Sequence, residues 1–335
     1  MGFRSATLGQ NDQMDPDSPI RIVDASSGPP APDEVTSLGV PIVAVADDLI
    51  GTDAEYWLDR ATFTLAAHAT DDRRTITVPD PHAAAAGIAR RVTESPITSA
   101  TCDDVLRAID ADGALAPALT VESLAYSTLQ SGPEFARWLA SRGPSTSRPD
   151  ESAPLRYHRA GDTLHIEFHR PRRHNAFNDG MRALLIEALN LAHLDPSVTA
   201  VEISGAGGSF CSGGDLADFG GFSDPASAHL ARTRHSPALG LSALEKRLGK
   251  ALRARIHGQV LGSGLEMAAF CGTVTAHPDA VLGLPELSVG LVPGAGGMFS
   301  VPRRIGRWRT AYLVLSGDTI DATTALDWGL IDEIA

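Results

Sequence analysis

The hydrophobic rhythm of the chain changes twice. Residues 1–38 carry Pro, Asp, Ser and Gly with few large apolar side chains, a composition that cannot offset the entropy of ordering, and a disordered leader is expected there. From Asp53 the apolar positions turn helical: Tyr56, Trp57, Phe63 and Leu65 predict one helix, the alanine-rich residues 82–92 a second, and Leu106 and Ile109 continue the theme. Over residues 123–142, Leu124, Leu129, Phe135, Trp138 and Leu139 fall mostly at helical spacing, broken at Gly132-Pro133, where proline suits the first turn of a new helix. These residues read as core packing, and residues 39–142 as a mainly helical N-terminal domain.

Residues 143–154, rich in Pro, Ser, Arg and Asp and without periodicity, predict a linker. Beyond it the grammar is that of short strands alternating with helices. Residues 164–168 alternate apolar and polar, 181–193 are amphipathic, 200–203 and 252–256 read as strands, and 265–270 as a helix after a glycine-rich turn. That alternation argues for α/β architecture over residues 155–335.

Composition narrows the partners. A chain of 335 residues, 43% of them hydrophobic, can bury a large core and allows two domains. Its formal net charge of -13 repels phosphate backbones and anionic lipid, so neither nucleic acid nor membrane is an expected partner. Three widely spaced cysteines, Cys102, Cys211 and Cys271, offer neither zinc spacing nor a disulfide framework and fit a reducing, cytoplasmic setting. The N-terminus lacks the apolar stretch of a signal peptide.

Three stretches carry candidate chemistry. In Ser209-Phe210-Cys211-Ser212-Gly213-Gly214-Asp215-Leu216 a strand end runs through two glycines, a turn that leaves backbone N–H groups able to hold a developing oxyanion. In His257-Gly258-Gln259-Val260-Leu261-Gly262-Ser263-Gly264-Leu265-Glu266 the N–H of Ser263 lies near a helix N-terminus; Glu266, in its first turn, could simply be a partner for the helix dipole. In Leu284-Pro285-Glu286-Leu287-Ser288-Val289-Gly290-Leu291-Val292-Pro293-Gly294 a carboxylate stands in an apolar run, as either a paired structural ion or a group raised by desolvation for acid–base work. His257 and His174 are further candidates by residue type, and His257 reads as a packing or hydrogen-bonding residue.

Together, in this order, the stretches resemble the crotonase, or enoyl-CoA hydratase/isomerase, superfamily. The resemblance covers about 180 residues, from His169-Arg170-Pro171-Arg172-Arg173-His174-Asn175-Ala176-Phe177-Asn178 through Gly317-Asp318-Thr319-Ile320 and Ala325 to Gly329-Leu330-Ile331. It implies a spiral of ββα units and homotrimers or dimers of trimers. It places oxyanion-hole N–H groups on Gly214 and Ser263, the hydratase carboxylates on Glu266 and Glu286, and the water-placing glycine on Gly294. The same resemblance puts Arg172, Arg173, Gly213 and Leu216 on the side of the CoA thioester substrate. No metal and no cofactor beyond the substrate's own coenzyme A are implied.

The N-terminal wording Ser123-Leu124-Ala125-Tyr126-Ser127-Thr128-Leu129 with Gly132-Pro133-Glu134-Phe135 is also similar to the cofactor-independent dihydroxyphenylacetyl-CoA dioxygenase branch. Ordinary hydratases continue past the position of Ile331 with further helices, whose place the N-terminal helices are expected to take. Hydration of an enoyl thioester is the leading expectation. An oxygenase acting on an arylacetyl thioester and a noncatalytic acyl-CoA-binding subunit are the alternatives.

Overall fold

The computed structural model describes residues 18–26, 39–46, 52–143, 153–221 and 224–335. The expected linker and most of the expected leader lie outside these residues. Arg21–Asp24, within the stretch expected to be disordered, is instead a strand, β1, and it begins a small parallel sheet with β2 (Ile42–Ala46), β3 (Phe63–Ala66) and β4 (Thr75–Thr77) in the order β1-β2-β3-β4. A single helix through Leu65 is thus corrected: α1 (Thr52–Arg60) stops at Arg60, and Phe63 and Leu65 are buried in β3. Four residues buried on both faces, three of them apolar, carry no period that separates strand from helix.

The remaining N-terminal elements are helical. They are α2 (Pro81–Glu94), α3 (Pro96–Ala108), α4 (Leu115–Gln130) and α5 (Pro133–Arg142). Three of these helices begin on proline, whose missing N–H costs nothing at a first turn. Asp80 caps α2 by accepting from Ala83 N at 2.9 Å. The N-terminus of α3 is closed from a distance: the Glu134 carboxylate accepts from Ile97 N at 2.8 Å and Thr98 N at 2.9 Å, tying α5 to α3.

The second half holds a six-stranded sheet of order β13-β10-β8-β7-β6-β5, in which only β5–β6 is antiparallel. Its strands are β5 (Leu155–Ala160), β6 (Thr163–Phe168), β7 (Ala200–Gly205), β8 (Leu252–Ile256), β10 (Thr273–Ala276) and β13 (Glu333–Ile334). A three-stranded sheet, β12-β11-β9, joins β9 (Gln259–Leu261), β11 (Val281–Gly283) and β12 (Ile320–Asp321). Helices α6 (Asp179–Leu194), α7 (Pro225–Arg234), α8 (Pro237–Leu248), α9 (Ser263–Ala268), α10 (Gly297–Ser316) and α11 (Ala322–Asp327) pack around them.

The N-terminal helices join the core of the second half. Helix α10 packs against α2, α3 and α4, and α4 lies along α7. One buried cluster runs from Phe63, Ile88 and Leu106 to Phe168, Leu241 and Val301. No helix among the described residues is long and apolar enough to cross a membrane.

Candidate active site

Strand pairing brings the three candidate stretches to one place. Cys211 bridges to Val260 and Phe177 to Gly214, so the turn after β7 lies beside the turn that enters α9, while β11 pairs with β9 and delivers the segment bearing Glu286. Gly214, Ser263, Glu266, Glu286 and Gly294 all line one cleft, open to solvent.

Glycines are used where neighbours leave no room. A Cβ on Gly264 would lie 2.5 Å from Cys211 O, and one on Gly262, at φ +49°, would lie 2.5 Å from Glu286 Oε1. The turn therefore packs flush against both the neighbouring strand and a candidate carboxylate. No described group accepts a hydrogen bond from the N–H of Gly214 or of Ser263. Both donors stay available at the cleft.

The two expected carboxylates differ in their surroundings. Glu266 is 2% exposed, and its Oε2 accepts from Ala295 N at 2.6 Å and Gly297 N at 2.8 Å. Burial raises its pKa well above the usual range, and these N–H groups pull it part of the way back. Glu286, in the 3-10 turn Glu286–Val289, has a buried Oε2 with no hydrogen-bond partner among the described residues. Its pKa is driven up by burial and then by the Glu266 charge. Of the two, Glu266 is the one equipped to ionise.

A third carboxylate, absent from the sequence reading, comes from the N-terminal domain. Glu122 of α4 is 2% exposed and accepts from Gly296 N at 2.8 Å and Met298 N at 2.9 Å. Burial and the Glu266 charge raise its pKa. Its signal was present: Leu115, Ala118, Leu119, Glu122, Tyr126 and Leu129 form one buried helical stripe, with the acid in register. One turn on, the Tyr126 ring covers Gly294, where a Cβ would lie 2.3 Å from Cδ2. Phe219 closes over Gly214 and meets Trp138 of α5 at 5.9 Å between centroids, so α4 lines the cleft and α5 backs one of its walls.

The expected substrate-side residues lie at one edge. Gly213, at φ +99°, precedes the Gly214 donor and packs on the Leu261 carbonyl. Leu216 is 47% exposed, and its carbonyl accepts from Arg142 Nη1. Arg172 and Arg173 sit on a short 3-10 turn outside the cleft, with Arg173 Nη1 3.5 Å from Asp215 Oδ2. The cleft-lining Asp215 is bound more closely by Arg170, Nη2 to Oδ2 at 2.8 Å, a buried ion pair the sequence reading passed over. His257 Nε2 meets Gly207 O at 2.9 Å and His174 Nδ1 meets Ser209 Oγ at 3.0 Å, both supporting the turn. No group of three or more His, Cys, Asp or Glu suited to a metal ion occurs among the described residues.

Comparison with known proteins agrees with this architecture. The chain is 33% identical over 171 residues to the 2,3-dehydroadipyl-CoA hydratase of Escherichia coli, covering 51% of this chain and 65% of that protein. It is 30% identical over 169 residues to the mitochondrial enoyl-CoA hydratase of Pongo abelii, covering 50% and 56%. It is 32% identical over 178 residues to the 1,2-epoxyphenylacetyl-CoA isomerase of Escherichia coli, covering 50% and 64%. The chain thus spans less than two thirds of each of these relatives. The fold matches that of an enoyl-CoA hydratase/carnithine racemase from Magnetospirillum magneticum with a TM-score of 0.50 at 24% identity, over 55% of this chain and 68% of the other. Residues 159–335, just over half of the chain, match the family described as enoyl-CoA hydratase/isomerase, and the protein belongs to that family.

Proposed function

We propose that the protein is an acyl-CoA enzyme of hydratase/isomerase type that adds water across the α,β double bond of an enoyl thioester. The observation that carries this reading is the pairing of two unengaged backbone N–H groups with two unequally solvated carboxyls in one cleft.

In this reading the thioester oxygen accepts from Gly214 N and Ser263 N, which stabilise the charge that develops as water attacks; losing one such donor costs about 100-fold or more in rate. Ser263 is the first residue of α9, so the helix dipole strengthens its donor. Glu266, held ionisable by two N–H groups, takes a proton from water as the hydroxyl oxygen bonds to the β-carbon. Glu286, kept protonated by burial and by the charge on Glu266, gives its proton to the α-carbon. The product carries one added water, and a proton passing from Glu266 back to Glu286 restores the site. Two carboxyls pushed apart in acidity divide base and acid roles in this way. Arg172 and Arg173 supply a basic edge suited to the phosphates of coenzyme A.

The test is an isotope experiment. Incubation with crotonyl-CoA in 18O-labelled water should give a 3-hydroxyacyl-CoA with one label on the β-carbon. Absence of conversion, or product oxygen drawn from O2, rejects hydration.

A further inference from the structure

One cation of the cleft has no part in the proposed hydration. Arg232, in the last turn of α7, reaches across to α4, where Nη1 donates to Ser127 Oγ at 2.9 Å and Nη2 to Gln130 Oε1 at 2.7 Å. Nη1 also donates to Ala228 O at 3.4 Å. All these acceptors are neutral, and they engage three of the five N–H groups of a guanidinium. Among the described residues Arg232 forms no ion pair, whereas Arg182, the other arginine lining the cleft, is held 2.5 Å from Asp179. Burial lowers the Arg232 pKa, and the one carboxyl acting on it, Glu122, is itself pushed toward its neutral form.

Tyr126 fixes how far this cation lies from the chemistry. The Arg232 guanidinium carbon sits 4.0 Å from the centre of the Tyr126 ring, and the edge of the same ring covers Gly294, next to the Ala295 that binds Glu266. The cation is therefore about one ring away from the loop at the candidate reacting centre. A largely desolvated cation with only neutral partners is costly, and a carboxylate meeting it would gain a charge-assisted, two-pronged contact. An aliphatic tail would leave the donors facing hydrocarbon.

On the acyl-thioester reading above, we propose that Arg232 receives a carboxylate at the far end of a short acyl chain, so that the preferred substrates are thioesters of dicarboxylic acids. The rival role is a mechanical clamp between α7 and α4, which needs hydrogen bonds but no anion.

The experiment compares binding of two saturated thioesters of equal chain length, glutaryl-CoA and valeryl-CoA, to the whole chain by titration calorimetry. The parent should bind glutaryl-CoA at least about tenfold more tightly, a difference of about 1.4 kcal/mol. In Arg232→Met the ratio of the two affinities should fall to near one, and Arg232→Lys should restore part of it. Equal affinities in the parent, or a ratio unchanged in Arg232→Met, overturn the proposal. Because neither ligand can be hydrated, the outcome is separate from that of the isotope experiment. A tail preference without hydration would keep the anion site and remove the hydratase reading.

Discussion

Glu122 and Glu266 interleave on one run of backbone N–H groups: Glu266 takes those of Ala295 and Gly297, and Glu122 takes those of Gly296 and Met298. Four successive donors at the start of α10 are thus shared between an acid from the N-terminal domain and one from the C-terminal half. Two carboxyls so arranged repel when both ionise, and they titrate as a pair.

Replacing Glu122 by Gln removes that like charge and places an amide where two N–H groups need acceptors. Activity toward an enoyl thioester should fall by about 100-fold, the loss that displacing a positioned group by about 1 Å can cause. Because the Glu266 charge raises Glu122 whereas Glu266 is raised by burial, Glu266 ionises first, beside a neutral Glu122, and the acid limb of the kcat/KM profile should keep its place in the variant. A limb displaced to lower pH would show that Glu122 is already charged when Glu266 titrates.

Burial of three raised carboxyls has a consequence for stability. Glu122, Glu266 and Glu286 are all raised above the ordinary glutamate value in the folded chain, so between that value and their folded ones the native state binds more protons than the unfolded one. Stability must then fall as pH rises through this window, by up to about 1.4 kcal/mol per pH unit per group. Thermal unfolding should show a lower Tm at pH 8 than at pH 6, and Glu286→Gln should flatten the slope. A Tm rising over that interval contradicts the assignment.

Gly294→Ala drives a methyl group into the Tyr126 ring, with 2.3 Å to the nearest ring carbon. Overpacking of this kind costs about 1 to 3 kcal/mol, and it should also displace the adjacent Ala295 donor from Glu266. Lower Tm with lower kcat is the expected result, and Tyr126→Leu in the same chain should recover part of the Tm. Unchanged kcat in Gly294→Ala would separate this contact from the chemistry.

Glu134→Ala removes the acceptor of two N–H groups at the start of α3 and should destabilise the chain by about 1 to 2 kcal/mol, the range for a lost helix cap. Chemical denaturation reads it directly.

The glycine-rich turns at Gly213-Gly214 and Gly262-Ser263 showed their backbone donors locally, and the apolar run around Glu286 announced its desolvation. The pairing of Glu266 with Glu286 and the place of Gly294 came from the family resemblance, because no local spacing links those segments. Residues 164–168, 181–193 and 252–256 showed their strand or helix period because one face is buried and the other wet. The N-terminal parallel sheet was missed for the opposite reason: Phe63–Ala66 is buried on every side and carries no period. Glu122 stands in register on a buried helical stripe, but the partners that give it a role lie 174 residues away and those of Arg232 105 residues away, separations that no local spacing encodes.

The central claim is the division of acid and base between Glu286 and Glu266 opposite the two backbone donors. Its most direct test is the rate of crotonyl-CoA hydration by the parent, Glu266→Gln, Glu286→Gln and the double variant in one assay. Each single change should lower kcat by about 100-fold or more, and the double variant should lose far less than the product of the two losses, since groups acting on one water fail together. Hydration by Glu286→Gln at the parent rate would contradict the account.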